Sequence, residues 1–127
     1  MNANEEKILY QALSYKIVGL AMKVHTKLGP GFLEKVYENA LMVLFRREGI
    51  QAAQQVPMKV YFEGEEVGFY VADILVETKV ILELKVAENL SEAHKAQTLN
   101  YLKATGLRLA LVLNFGKTRL QYERIVH

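Results

Sequence analysis

The sequence predicts a mixed α/β (α+β) domain with the element order ααβββαββ, and three observations carry that expectation. Leu9, Leu13, Ile17, Leu20, Val24 and Leu28 recur at spacings of three and four, which is helical periodicity. Residues 54 to 86 are instead rich in Val, Ile, Tyr and Phe and break only at Glu63-Gly64 and Glu77-Thr78-Lys79, as three strands of a meander would. The period then changes again: "SEAHKAQTLNYLKATG" opens on an N-capping Ser91 and closes at Gly106, and "LRLALVLNFG" reads as a buried strand.

The first helix is expected from about Glu5 to Leu28 and must stop at "LGPG", because Pro30 disfavours helical geometry at Gly29. A second starts afresh near Gly31 and runs through "FLEKVYENALMVLFRRE" to Gly49. Pro57 marks the first strand as an edge strand or a late starter. "TRLQYERIV" supplies the last strand. At 127 residues the chain has room for one core, so residues 1–127 are expected to form a single domain.

Composition narrows the chemistry. Cysteine is absent, which removes disulfides, thiolate nucleophiles and Cys-based zinc sites. No run approaches the roughly 18 to 20 apolar residues of a membrane span, and "MNANEEK" lacks the basic and apolar regions of a signal peptide, so a cytoplasmic location is expected. Net charge is only +2, yet residues 103–127 hold Lys103, Arg108, Lys117, Arg119 and Arg124 against Glu123 alone. A basic end of that kind suits phosphate, and equally a plain solvated surface. There is no Gly-rich phosphate loop, no nucleophile elbow and no H-E-x-x-H.

One stretch stands out. "ADILVETKVILELKV" places Asp73, Glu83 and Lys85 in strands otherwise built of Val, Ile and Leu, and strand alternation puts Glu83 and Lys85 on the face of Ile81. A three-residue loop at Glu77-Thr78-Lys79 pairs Val76 with Val80 and brings Asp73 opposite Glu83; a two-residue turn would send the carboxylates to opposite faces. Adjacent buried carboxylates raise each other's proton affinity and need a cation. Lys85 is one, and Mg²⁺, which binds through one or two carboxylates and keeps waters, is another. A structural Glu–Lys pair is the competing interpretation.

On the second helix Glu34 aligns with Glu38, Leu41 and Phe45, which predicts a position near the core boundary and leaves Glu38 as a solvated neighbour. A first-turn acid favoured by the helix dipole fits as well. His94, Gln97 and Tyr101 form a polar stripe on the third helix that suits a cleft lining or an ordinary surface. His25, just before Gly-Pro-Gly, reads first as a satisfied boundary histidine and second as a site residue.

Gly31, Glu34 and Tyr37 in "GFLEKVYENAL" spell G-x-x-E-x-x-Y, and with "VADILVETKVILELKV" and "AHKAQTLNYLKATGLRLALVLNFG" the chain resembles the GxxExxY proteins of the PD-(D/E)XK nuclease superfamily over nearly its whole length. The resemblance implies a restriction-endonuclease-like core, αβββαβ, with an extra N-terminal helix and a C-terminal strand. It implies Asp73, Glu83 and Glu34 as ligands of Mg²⁺ or Mn²⁺ and Lys85 as the catalytic cation. Gln97 and Tyr101, resembling a Q-x-x-x-Y, would position substrate, with Tyr37 and His25 beside them. Ala72 stands where the motif's name has Pro. The implied activity is divalent-metal-dependent hydrolysis of DNA or RNA phosphodiesters with low sequence specificity. Nucleic acid is the implied partner, and a homodimer or a larger nucleic-acid-processing assembly suits so small an enzyme. The alternative is a noncatalytic module binding nucleic acid or a partner protein.

Overall fold

The computed structural model describes residues 3–127, with side chains from Tyr10 onward, so Leu9 of the first helical stripe lies outside the described side chains. Eight elements follow in the expected order: α1 (Ala3–Leu28), α2 (Glu34–Arg47), β1 (Ala52–Phe62), β2 (Glu65–Val76), β3 (Val80–Lys85), α3 (Glu92–Thr105), β4 (Leu109–Asn114) and β5 (Gln121–Val126). The strands form one mixed sheet in sequential order. Neighbours are antiparallel except β3 and β4, which run parallel because α3 returns the chain between them.

Two apolar layers hold the sheet. Ile17, Ala21 and Val24 of α1 and Tyr37, Leu41 and Phe45 of α2 pack on Ile74, Val80, Leu82, Leu84, Leu111 and Leu113. Leu102 of α3 packs on Ile81 and Ala110 with Tyr70 and Ala72. The β4 run is buried along its whole length, as a central strand covered on both faces must be. Pro57 lies in β1, which is an edge strand as its proline requires.

The α1–α2 connection shows why "LGPG" stands there. Gly29 and Gly31 have φ of 72° and 113°, a region costly to residues with a Cβ. α2 then begins at Glu34, not near Gly31. Tyr37 clamps this turn: its hydroxyl donates to the Gly29 carbonyl at 2.6 Å and accepts from the Phe32 amide at 3.2 Å, while its ring stacks on Phe115 at 4.4 Å.

The loop after β3 is fixed just as tightly. Fully buried Asn114 accepts from the amides of Ala87 and Gly116, each at 3.0 Å, and donates to the Ala87 carbonyl and to Gln121. A Cβ on Gly116 would lie 2.5 Å from the Ala87 nitrogen, so only glycine admits this approach. The chain leaving Lys85 is therefore locked to the end of β4, where the Phe115 amide also donates to the Lys85 carbonyl at 2.9 Å.

Candidate active site

The three-residue loop at Glu77–Lys79 gives the expected register, Val76 against Val80 and Ile74 against Leu82. The ladder ends there, because β2 turns away from β3 at Asp73. Instead of completing a strand pair, the Asp73 carboxylate enters the gap, and its Oδ2 accepts from the Leu84 amide at 2.8 Å. The turn also changes faces. Tyr70 and Ala72 share strand parity with Ile74, yet they pack on the α3 side while Ile74 packs against α1 and α2.

β1 answers this distortion with one of its own. Gln55, the residue between the Gln54–Ile74 and Val56–Ala72 pairs, has φ of 52°, an unfavourable conformation for a residue with a Cβ. Its side-chain amide reaches Asp73 and also donates to Glu38 Oε1 at 2.9 Å. Glu38 Oε2 accepts from Gln54 at 2.6 Å and from Lys35 at 3.0 Å.

Glu38 is thus the buried acid of α2, 3% exposed, where the sequence suggested a solvated neighbour. Glu34, expected at the core boundary, is exposed in the first turn. Its stripe along the helix is the right one, since Glu38, Leu41 and Phe45 are buried on it. The packed layer simply ends one turn before Glu34 is reached.

Burial dominates the electrostatics of the pair. It pushes the Glu83 carboxyl from its ordinary 4.5 up to about 7, against the pull of the Lys85 ammonium and the Asp73 amide, with Glu38 adding a smaller upward push. Asp73 is also raised, first by burial and then by Glu38, while the Leu84 amide, Lys85 and Gln55 pull it down. Glu83 Oε1 is buried without a hydrogen-bond partner among the described residues.

On the α3 side Glu83 and Lys85 line a small cavity together with Tyr70, His94, Gln97, Thr98 and Tyr101. Gln97 donates to the Tyr101 hydroxyl at 3.2 Å, and the Tyr101 ring stacks on Tyr70 at 3.6 Å. The structure thus brings together Asp73, Glu83, Lys85, Gln97 and Tyr101. Tyr70, Gln55 and Glu38 join them without having been expected.

Tyr37 and His25 do not join. Tyr37 is in the core under the "LGPG" turn. His25 is buried beside Phe115, and its Nε2 donates to the Lys117 carbonyl at 2.8 Å, tying α1 to the loop after β4. Both are structural there. The basic C-terminal stretch stays at the surface and turns some of its charge onto the protein itself, since Arg124 donates to Ser14 at 2.6 Å and Lys117 to Asn89 at 3.0 Å.

The family model of the PD-(D/E)XK nuclease superfamily matches residues 11–125. The chain belongs to that superfamily. Its five-stranded mixed sheet with flanking helices is the corresponding restriction-endonuclease-like fold. The crystal structure of SSO0001 is similar in fold, with a TM-score of 0.57 and 16% identity over 73% of this chain and 49% of that one. The chain therefore spans about half the length of that protein. A comparison with curated proteins found no match. No helix among the described residues is long and apolar enough to cross a membrane.

PD-(D/E)XK nucleases typically use divalent metals, and the residues present fit such an ion in part. Asp73 and Glu83 offer two carboxylates, linked through the Asp73 amide, and Glu83 Oε1 is an oxygen that no described residue pairs. Among the described residues no group of three His, Asp or Glu converges closely enough to enclose an ion. Glu38 already spends both oxygens on Gln54, Gln55 and Lys35. Two carboxylates with waters completing the shell match Mg²⁺ better than an all-protein cage would.

Proposed function

We propose that the protein is a divalent-metal-dependent hydrolase of DNA or RNA phosphodiesters with low sequence specificity. The observation that carries this reading is the Asp73–Glu83 pair beside Lys85, with its unpartnered buried oxygen and its raised proton affinity. Perturbed carboxyls of this kind gather at catalytic sites. Asp73 and Glu83 would hold Mg²⁺ or Mn²⁺, which when bound supplies Lewis-acid activation of water and neutralises phosphate charge. Asp73 is oriented for this by the Leu84 amide and Gln55.

Lys85, on the same strand face as Glu83, steadies the attacking water or the negative charge that grows on phosphate in the transition state. Gln97 and Tyr101 hold the far wall of the cavity through their mutual hydrogen bond. Glu38 positions Asp73 through Gln55, and the helix acid of the site is Glu38 rather than Glu34. Membership of the GxxExxY group within the superfamily belongs to this reading, carried by Gly31, Glu34 and Tyr37. Assembly into a homodimer or a larger complex belongs to it too, supported by the exposed tip of the β1–β2 hairpin with Tyr61, Phe62, Val67 and Phe69.

One observation favours a noncatalytic binding module instead: with Glu38 engaged, two acids among the described residues are left for an ion, one fewer than the resemblance implied. Labelled single- and double-stranded DNA and RNA, incubated with Mg²⁺, Mn²⁺ or EDTA beside identically purified Asp73→Asn, separate the two. Metal-dependent cleavage absent from Asp73→Asn is the expected result and chooses the substrate class. Equal silence, or equal activity, of the two proteins overturns the hydrolase.

A further inference from the structure

Three buried side-chain atoms lack a hydrogen-bond partner among the described residues: Glu83 Oε1, the Tyr70 hydroxyl and His94 Nδ1. All three residues line the same cavity, which measures about 150 Å³. A folded protein rarely leaves such groups bare, because each opposes folding unless something pairs with it. Three in one cavity describe the chemistry of what enters it. Glu83 is accounted for by a cation; Tyr70 and His94 are not.

Both remaining atoms sit on rigid supports. Tyr70 is 9% exposed and stacked against Tyr101 at an interplanar angle of 8°, so its hydroxyl cannot swing out to solvent. His94 is in the first turn of α3, where its own amide is capped by the Ser91 hydroxyl at 3.1 Å and its carbonyl accepts from Thr98 at 2.9 Å. Lys85 and Gln97 add an ammonium and an amide to the same wall. Apart from Glu83, the lining therefore offers mostly donors, counting His94 as its Nδ1–H form.

Size decides among acceptors. The cavity falls well below the roughly 300 Å³ at which pockets for drug-sized ligands begin. A phosphoryl group with a bound water suits so small and polar a space better than a base with its sugar. We propose that Tyr70 and His94 are substrate-positioning residues that donate to oxygens of one phosphoryl group of the nucleic acid, lodged beside Glu83 and Lys85. This rests on the hydrolase reading and deepens it. The cavity grips backbone phosphate and leaves bases outside, which makes the enzyme indifferent to sequence.

The test uses Tyr70→Phe, which keeps the stacked ring, and His94→Ala. Four quantities are read: melting temperature of the free protein, affinity for inorganic phosphate with Mg²⁺ present, affinity for Mn²⁺, and KM for the nucleic acid the wild type cleaves. Tyr70→Phe is expected to raise the melting temperature by about 3 °C, since it removes a bare hydroxyl. Each variant is expected to weaken phosphate binding and raise KM about tenfold, with Mn²⁺ affinity unchanged. A lower melting temperature for Tyr70→Phe together with unchanged phosphate affinity means that waters satisfy the hydroxyl structurally, and overturns the proposal. Cleavage with unaltered KM in both variants overturns it too and leaves the hydrolase standing. Phosphate binding lost in the variants of a protein that cleaves nothing upholds the pocket and removes the hydrolase.

Discussion

Glu83→Gln is expected to abolish cleavage, by about 10³-fold or more, and at the same time to stabilise the free protein at alkaline pH. The first effect follows from removing a ligand of the proposed ion, which would supply several kcal/mol of transition-state stabilisation. The second follows from burial. An acid whose folded pKa is about 7 and whose unfolded value is near 4.5 is fully compatible with the fold below pH 4.5 and progressively opposes it as pH rises through 7. From pH 5 to pH 8 that opposition grows by about 2 to 3 kcal/mol, and the raised Asp73 acts with the same sign. Urea unfolding of the wild type should therefore show stability falling over this window, with a flatter profile for Glu83→Gln. Nucleic-acid affinity should be spared or improved in the variant, because one negative charge facing phosphate is gone. A binding module would show the same affinity gain with no activity to lose. Parallel pH profiles for the two proteins would contradict the burial argument.

Glu38→Ala is expected to cost about 2 kcal/mol, and Glu34→Ala less than about 1 kcal/mol. Removing Glu38 takes a buried carboxylate from the exposed side-chain amides of Gln54 and Gln55 and the exposed Lys35 ammonium, each within 3.0 Å of its oxygens; Gln54 keeps Asn39 as an acceptor, and water takes up the other donors. Relief of its repulsion on Asp73 and Glu83 offsets a fraction of that loss. Activity should fall with stability, since Gln55 then loses the anchor from which it holds Asp73. Exposed Glu34 contributes only a first-turn charge to the helix dipole. Thermal melts and cleavage rates of the two variants decide the matter, and a larger loss for Glu34→Ala would restore it as the helix acid.

The contrast between those two glutamates shows what a sequence can convey. Periodicity identified the buried stripe of α2 correctly, because apolar spacing reports which side of a helix faces the core. It cannot report where along the helix axis the neighbouring layer ends, and that alone separates Glu38 from Glu34. The strand pair behaves in the same way. The loop length at Glu77–Lys79 was enough to set the register from Val76–Val80 to Ile74–Leu82, since a hairpin of known length has one in-register pairing, but not to foresee that the ladder stops one step before Asp73 and Glu83.

Tyr70 was hidden by the same rule of alternation. Its parity with Ile74 assigns it to the α1–α2 face, and only the turn of β2 at Asp73 sends it across to α3. Gln55 was hidden because a residue with φ of 52° inside a strand has no signature in its own letter. His25 and Tyr37 carried motif-like positions, yet their polar atoms are consumed by backbone groups of Lys117, Gly29 and Phe32. Motif membership marks residues that matter; whether through chemistry or through folding depends on what their atoms touch.

Whether the carboxylate pair is a metal centre is tested most directly by calorimetric titration of the free protein with Mn²⁺ at pH 7, in two buffers of different ionisation heat. Binding at one site with release of protons is expected, because Glu83 is about half protonated near its pKa and must ionise to coordinate. Asp73→Asn and Glu83→Gln should each lose that binding. Absence of binding in the wild type, or equal binding by all three proteins, would contradict the assignment.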